Sequence, residues 1–267
     1  MSRLQFPRRS LQRVLAIVFV LGLWEVLSRS GLVEITLFPP PSKVFLTMLE
    51  DLRSGLILHD AMASLGRVLV GFAAGSILGM LLGVATGLSE TADATVGQIL
   101  QLARPIPPIA IVPLVILWIG IGEPAKWFVV AFGVLFPVWI NTHTGIRQIQ
   151  TTYVWTARSM GARGFALVRT VYIPAAAPYL FAGLRMSLGI AFFCLVAAEM
   201  AGASEGLMYR VQLAQLTFRT DRMLEGIVLL GVLSACLDGV LMFTLRRLFP
   251  QVFIAETEGM ADHAGRA

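Results

Sequence analysis

The chain has 267 residues, of which 57% are hydrophobic and only 14% are charged, and its formal net charge is +5. A soluble domain has about 25% charged residues, so this chain has too little polar surface for water and is predicted to be an integral membrane protein. The basic balance alone would allow nucleic-acid binding. However, the arginines stand in short segments between apolar runs, which is typical of charges that orient membrane helices.

Six segments are apolar and long enough to cross a membrane, for which a helix needs about 20 residues. The predicted fold is therefore all-α, a polytopic membrane bundle of about six transmembrane helices. The apolar run of the first segment, 14–27, follows four arginines and has no cleavage site, so this segment is predicted to be an uncleaved anchor. The third contains four prolines, which remove backbone donors, and it is predicted to be kinked and to lie inside the bundle. The segments are 11–28, 64–88, about 98–121, 127–144, 176–201 and 226–249.

The charges between these segments predict the orientation. Six crossings place the N-terminal arginines, Arg104, the arginines of 145–175 and the Arg246–Arg247 pair on one side, and the positive-inside bias makes that side the cytoplasm. Both termini are then cytoplasmic, and an external helix is predicted to be capped by Ser42. The domains predicted are an anchor helix with an external segment over 1–57, a transmembrane domain over 58–249 and a cytoplasmic tail over 250–267.

Five glycines recur every four residues along the second predicted span. Small residues at this spacing let two helix backbones approach closely, so they predict a helix-packing face. Because four residues exceed one turn of 3.6, the stripe drifts by about 40° per step and favours a partner that crosses at an angle. A role in the substrate path is the alternative, although glycine has no side chain for chemistry. The residues are Gly71, Gly75, Gly79, Gly83 and Gly87.

A basic loop, 151–174, separates the fourth and fifth predicted spans. Thr151 or Thr152 is predicted to cap a first helix, and Gly161 stands where that helix would end in the left-handed conformation. A second short helix is predicted over 165–170. The alternative to a docking element is an amphipathic linker that lies on anionic lipid through its arginines.

The spacing within this loop resembles the coupling loop of bacterial ABC-importer permeases, written EAA, three residues, Gly, nine residues, Ile-x-Leu-Pro. Here Ala157 is followed after three residues by Gly161, and VYIP ends the loop at 171–174. Together with further blocks, the loop resembles the type-1 ABC transmembrane permeases, specifically the nitrate, sulfonate and taurine subgroup. The blocks are FPPPSKV (38–44), SLGRVLVGF (64–72), PIPPIAIVPLVILWIGIGEPAKW (105–127), NTHTGI (141–146), AAAPYLFAGLRMSLG (175–189) and VAAEM (196–200).

This resemblance implies a type I ABC-importer permease fold in the bacterial inner membrane and a permease subunit for a small solute such as nitrate, a sulfonate, taurine or a related organic anion. It implies cytoplasmic ATPase subunits, an external or periplasmic solute-binding protein and a second permease copy as partners in the bilayer. Ala157 and Gly161 are expected to leave space for the ATPase. Trp155 replaces the usual glutamate, so either aromatic packing replaces an ion pair or the loop contacts its partner differently. The expected ATPase-coupling residues are Trp155, Thr156, Ala157, Arg158, Gly161, Ala162, Val171, Ile173 and Pro174.

Ionisable residues within spans are costly and mark functional candidates. Glu25 and Arg67 are predicted to lie at the interface with their charged groups in water. Arg185 and Glu199 are candidates for ion pairs that line the pathway, and Arg185 is a candidate to attract an anionic substrate.

Enzyme motifs are missing from the sequence. There is no Walker A, HExxH or G-x-S-x-G pattern, so ATP hydrolysis is expected in a separate subunit and the chain is not predicted to be an enzyme. The three histidines have no metal-ligand spacing, and no metal, cofactor or nucleic acid is expected. A stand-alone secondary transporter or channel, which would need no docking loop, is the alternative function.

Overall fold

The computed structural model describes residues 6–250, and every regular element within them is a helix, which confirms the all-α prediction. Four helices, α3, α6, α8 and α10, are long and apolar enough to cross a membrane, and the bent pair α4–α5 makes a fifth if it counts as one span. The first predicted span falls within α1, and the predicted tail beyond residue 250 lies outside the described residues. The helices are α1 Phe6–Arg29, α2 Pro41–Arg53, α3 Leu56–Leu88, α4 Glu90–Ala103, α5 Pro108–Ile119, α6 Glu123–Arg147, α7 Thr151–Ser159, α8 Phe165–Gly202, α9 Leu207–Leu216 and α10 Thr220–Leu248.

These helices form two compact units. One contains the chain up to Ala63 together with Ser204–Gly231, and the other contains Ser64–Ala203 together with the chain from Val232. Two of the three boundaries cut through helices, α3 and α10, and the third lies in the linker between α8 and α9. The domain limits predicted at 57 and 249 stay predictions.

The first unit is held together by buried ion pairs beneath α2. Asp51 is only 5% exposed and accepts hydrogen bonds from Arg210 of α9 and, at 3.2 Å, from Arg222 of α10. Thr47 donates to Asp221 at 3.1 Å. A buried charge is tolerated only when it is paired, so these contacts fix α2 against α9 and the first turns of α10.

The start of α2 differs from the prediction that Ser42 caps it. The N-cap is Pro40, which has no capping side chain, and the first-turn N–H of Ser42 donates to the Glu25 carboxylate of α1 at 3.1 Å. Pro41 at the first helical position supplies the required backbone angle and has no N–H to cap. The Ser42 hydroxyl is therefore available to α1, where it donates to Glu25 at 2.8 Å, and Glu25 also pairs with Arg29 at 2.6 Å.

The core of the second unit is built around α6, which packs against α8 along its length. Its valines Val129, Val130, Val134 and Val138 are at most 1% exposed. β-Branched side chains have few rotamers to lose in a helix and give a smooth packing face. Further along α6, buried Trp139 donates to Thr86 of α3 at 3.1 Å, which satisfies the indole N–H inside the bundle.

The third predicted span is broken where its prolines lie. α4 and α5 meet at 85°, and the linking residues 104–107 are not helical. The predicted kink is thus present as a sharp bend. Proline lacks the N–H that would continue the ladder and clashes with the preceding turn.

The second short helix predicted over 165–170 is not a separate element. α8 begins at Phe165 and continues through a π-helical turn, Val168–Tyr172, into the long helical stretch that ends at Gly202. Pro174 and Pro178 each remove a backbone donor, and the wider π turn before them changes the hydrogen-bond register without ending the helix. The second half of the basic loop is therefore a direct extension of a membrane-spanning helix.

Candidate functional site

The basic loop forms a helical hairpin made of α7 and the start of α8. Its turn is closed by glycines in the left-handed region, Gly161 at φ +91° and Gly164 at φ +53°, a conformation that glycine adopts without strain. The Ala162 N–H donates to the Ala157 carbonyl at 2.9 Å, and the Gly161 N–H donates to that of Arg158 at 3.0 Å. These bonds satisfy the last carbonyls of α7, as in a Schellman motif. Gly161 thus ends the helix as predicted.

The start of α7 differs from the prediction of a threonine cap. The helix already includes Thr151 and Thr152, its N-cap is Gln150, and no side chain caps it. The Thr152 carbonyl instead accepts a hydrogen bond from the Thr156 hydroxyl at 2.9 Å. The first turn of α7 is closed by the backbone, where the Tyr153 N–H donates to the Gln150 carbonyl at 3.1 Å.

A small apolar core stiffens this hairpin. Val154 and Ala157 of α7 pack against Leu167 of α8, and all three are less than 10% exposed. The small side chain of Ala157 thus serves the packing between the two helices rather than an open docking face. Other apolar side chains of the hairpin are exposed, among them Trp155 at 68% and Phe165 at 76%. Of the other predicted coupling residues, Thr156, Arg158, Gly161, Ile173 and Pro174 are exposed, and Ala162 and Val171 are half-buried.

The glycine stripe of α3 lies directly on α6. A Cβ added to Gly75 would lie 2.5 Å from the Ala131 carbonyl oxygen, and one added to Gly79 would lie 2.6 Å from that of Leu135. The corresponding positions of Gly71, Gly83 and Gly87 meet the side chains of Val130, Thr142 and Ile146 at 2.5–2.9 Å. No side chain fits between these backbones, so α3 and α6 approach each other closely along the stripe.

A charge cluster joins the ends of three helices in the second unit. The Arg67 guanidinium of α3 donates to Glu123 of α6 at 2.8 Å and to Glu199 of α8 at 2.7 Å. Ser64 also donates to Glu199 at 2.7 Å, and Lys126 donates to Glu123 at 2.8 Å. Two cations thus balance two carboxylates, which offsets the cost of burial.

The position of Arg67 corrects a prediction. Its side chain is 1% exposed, and that of Glu199 is fully buried, so Arg67 does not extend to water from an interfacial position. Partners on two other helices neutralise its charge. Arg67 and Glu199 are recognisable in the sequence as ionisable residues within apolar runs, whereas Glu123 and Lys126 stand in a turn-like segment and carry no such signal.

Arg185 of α8 is paired as well. Its guanidinium donates to both carboxylate oxygens of Asp238 on α10, at 3.2 and 3.3 Å. The pair is accessible, with side-chain exposures of 58% and 36%. The pathway roles expected for Arg185 and Glu199 stay predictions. Within residues 6–250, no three His, Cys, Asp or Glu side chains are placed to hold a metal ion.

Comparison with known proteins decides the family. The sequence profile of a family described as "Binding-protein-dependent transport system inner membrane component" matches residues 75–251, about two thirds of the chain. The chain belongs to this family. It is therefore a permease component of an ABC importer, and its resemblance to type-1 ABC permeases is confirmed.

Relatives and solved structures agree with this assignment. A putative aliphatic sulfonates transport permease protein of Bacillus subtilis is 33% identical over 229 residues, which is 86% of this chain and 83% of that protein. The taurine transport system permease protein of Escherichia coli is 31% identical over 236 residues, 86% of each chain. An inward-facing structure of the MetNI methionine ABC transporter superposes with a TM-score of 0.60 at 21% identity, covering 75% of this chain and 97% of that one. This last likeness establishes the type I permease fold.

Proposed function

We propose that this permease carries a small sulfonate-type anion into the cell, driven by a separate ATPase that docks on the α7–α8 hairpin. An external solute-binding protein delivers the anion. The observation that carries the proposal is the continuity of the hairpin with α8. A rigid docking element joined without a break to a membrane-spanning helix is able to transmit a push into the bundle.

The surface of the hairpin suits such a partner. Trp155 and Phe165 present aromatic rings, and Met160 is 78% exposed. Aromatic residues and methionine are enriched at protein interfaces. Burial of these exposed apolar side chains in a groove of a partner protein would be more favourable than their exposure to water. Aromatic packing of Trp155 against the ATPase would replace the ion pair that the usual glutamate of the family makes.

The substrate class follows from the relatives. One is described as transporting aliphatic sulfonates and another as transporting taurine, which is itself a sulfonate. Each relative covers more than four fifths of this chain. A sulfonate is therefore the first candidate for transport.

The assembly proposed contains two copies of this chain in the bacterial inner membrane, with both termini in the cytoplasm. Support for the orientation comes from the arginine bias described above. Support for a second copy comes from α10, of whose apolar window only 6% is buried within one chain. A helix so little covered needs lipid or a second copy beside it.

The test begins with partner capture. The tagged chain is purified from its native membranes in mild detergent, and co-purifying proteins are identified and searched for a Walker A sequence. The captured complex is then reconstituted into proteoliposomes with the external binding protein, and uptake of labelled ethanesulfonate is measured with and without internal ATP or external binding protein.

Uptake that requires both ATP and the binding protein supports the proposal. Sulfonate uptake by the chain alone, without ATPase, would instead favour a stand-alone transporter. ATP-dependent uptake of a different solute would leave the coupling proposal in place and refute the substrate class.

A further inference from the structure

A cavity of about 220 Å³ opens at the break between α4 and α5. Its walls come from the central turns of two long helices: Phe136 and Ile140 of α6, and Met186 and Ile190 of α8. α6 runs from Glu123 to Arg147 and the regular part of α8 from Ile173 to Gly202, so these residues lie midway along both helices. In a chain whose α6 and α8 cross the membrane, the cavity lies near the bilayer midplane.

One charged side chain lines this cavity, that of Arg104. The orientation argument counts Arg104 among the cytoplasmic charges, but the structure places it elsewhere. Leu100 and Ala103, just before it, pack against the α6 cluster of Leu135, Phe136 and Trp139. The residue therefore lies beside the middle of α6 and not at its cytoplasmic end.

Arg104 also differs in its partners from Arg67 of α3, Arg147 of α6 and Arg185 of α8. Arg67, Arg147 and Arg185 each donate to a carboxylate at 2.7 to 3.3 Å. The Arg104 side chain is exposed and makes no ion pair or hydrogen bond with any residue between 6 and 250. An unpaired cation at this depth is costly and is found where it faces water or a ligand.

We infer that this cavity is a binding station for the transported anion, in which Arg104 holds the oxyanion head and the apolar walls hold a short alkyl chain. The inference rests on the proposed function and deepens it. A guanidinium presents its donors as a planar fork that matches two oxygens of an oxyanion. The volume is below the roughly 300–1,000 Å³ of pockets for drug-sized ligands, which suits a solute of a few heavy atoms.

The backbone around Arg104 agrees with such a station. Residues 104–107 link two helices that meet at 85°, and irregular backbone at membrane depth is tolerated only where protein or a water-filled cavity surrounds it. Broken helices recur at solute sites near the midplane in transporters. The break between α4 and α5 thus borders the cavity in which the anion would fit.

The lining also indicates which sulfonate is preferred. None of the lining residues is acidic, so a second, cationic group on the solute would lose its hydration without gaining a partner. An unsubstituted alkanesulfonate is therefore favoured over an aminosulfonate at this station. Arg185 is less suited to the anion because Asp238 already neutralises it.

A labelling-protection experiment tests the inference without ATPase, binding protein or transport. Met186→Cys places a reporter thiol on the cavity wall in the full chain, with exposed Cys236 changed to alanine, while Cys194 is fully buried. The rate of N-ethylmaleimide labelling in nanodiscs is measured against 1-butanesulfonate. Butyltrimethylammonium, of similar size and opposite charge, is the ligand control.

The expected result is that butanesulfonate slows labelling at least fivefold and the ammonium does not. Arg104→Gln should raise the half-protecting sulfonate concentration at least tenfold. Arg104→Lys, which keeps the charge but loses the planar fork, should raise it less than Arg104→Gln does. Arg247→Gln, which removes an exposed cation at the end of α10, should leave it unchanged. These thresholds correspond to loss or retention of one charge-assisted contact, for which about 1.4 kcal/mol is tenfold.

Three results would overturn the inference: no sulfonate protection when Arg104 is present, equal protection by the ammonium, or equal protection curves for Arg104→Gln and Arg247→Gln. If Arg104→Gln fails to fold, the comparison of butanesulfonate with the ammonium and the protection curve of Arg104→Lys still test the inference. Protection without ATP-dependent uptake would refute the proposed function alone. Uptake without protection would refute only this station.

Discussion

The contact between α3 and α6 gives a prediction whose size follows from the geometry. The perturbation is Gly75→Ala, which adds one methyl group. That Cβ would lie 2.5 Å from the Ala131 carbonyl oxygen and 2.8 Å from the Val134 Cβ. Both atoms are tied to the backbone of α6, so neither can rotate away. Moving from 2.5 Å to the 3.4 Å at which ordinary contact begins requires the helices to separate by about 0.9 Å.

Such overpacking typically costs about 1–3 kcal/mol, because it disturbs the neighbouring contacts as well. The matched control is Gly66→Ala on the same helix, where the added Cβ meets nothing within 4 Å. Both variants gain the same helix propensity, about 1 kcal/mol per Gly→Ala change. The difference between their free energies of unfolding therefore isolates the steric term, and Gly75→Ala should be less stable than Gly66→Ala by about 1–3 kcal/mol.

The assay is equilibrium unfolding of the purified chain in mixed micelles with increasing dodecyl sulfate, followed by circular dichroism and tryptophan fluorescence. Unfolding midpoints and slopes are compared for the wild type and both variants. The reasoning would be refuted if the two variants agreed within about 0.5 kcal/mol, the usual spread of neutral surface changes. Equal stability would mean that α3 and α6 are far enough apart at Gly75 to accept a Cβ without moving.

The remaining predictions concern the charge cluster and the hairpin. Arg67→Met leaves Glu199 buried without its cation and should lower the free energy of unfolding by about 3–5 kcal/mol. The double variant Arg67→Met with Glu199→Met should recover much of that loss. Additive costs of the two changes in the unfolding assay would contradict the pairing. Gly161→Val forces a β-branched residue to φ +91°, which costs about 1–2 kcal/mol, and it should reduce ATP-dependent uptake at least fivefold. The control Gly189→Ala, whose added Cβ meets no atom within 4 Å, should leave uptake unchanged. Trp155→Ala should weaken ATPase co-purification at least fivefold without shifting the unfolding midpoint, since its side chain is 68% exposed; full retention of the ATPase would exclude Trp155 from the docking face.

Some features of the site follow from the sequence because they are local. Gly161 is recognisable as a helix end since only the backbone freedom of glycine suits that position. The prolines near residue 105 predict the bend between α4 and α5 from the missing N–H alone. The glycines from 71 to 87 mark a packing face on α3 through their spacing. Each of these inferences needs only the residues within a few turns of one helix.

Other features depend on residues that are distant in the chain. The sequence predicts Ala157 as a docking position, but its burial depends on Leu167 across the hairpin. Capping arguments also fail for Ser42, whose hydroxyl has a better partner in Glu25, 17 residues earlier. In both cases the residue is recognised from its local sequence, but the partner that it contacts in the structure lies in another helix.

The amino-acid sequence by itself determined that this is a membrane-embedded permease, because apolar length, arginine bias and loop spacing are properties of contiguous segments. Only the tertiary structure decided the state of each intramembrane charge. Arg67, Arg185 and Arg104 look alike in the sequence, as single arginines within or beside apolar runs. The first two have carboxylate partners 56 and 53 residues away along the chain. The third has no carboxylate partner among residues 6–250 and lines a cavity. An ion pair depends on a distance of a few ångströms between helices, and that distance is set by how the whole bundle packs.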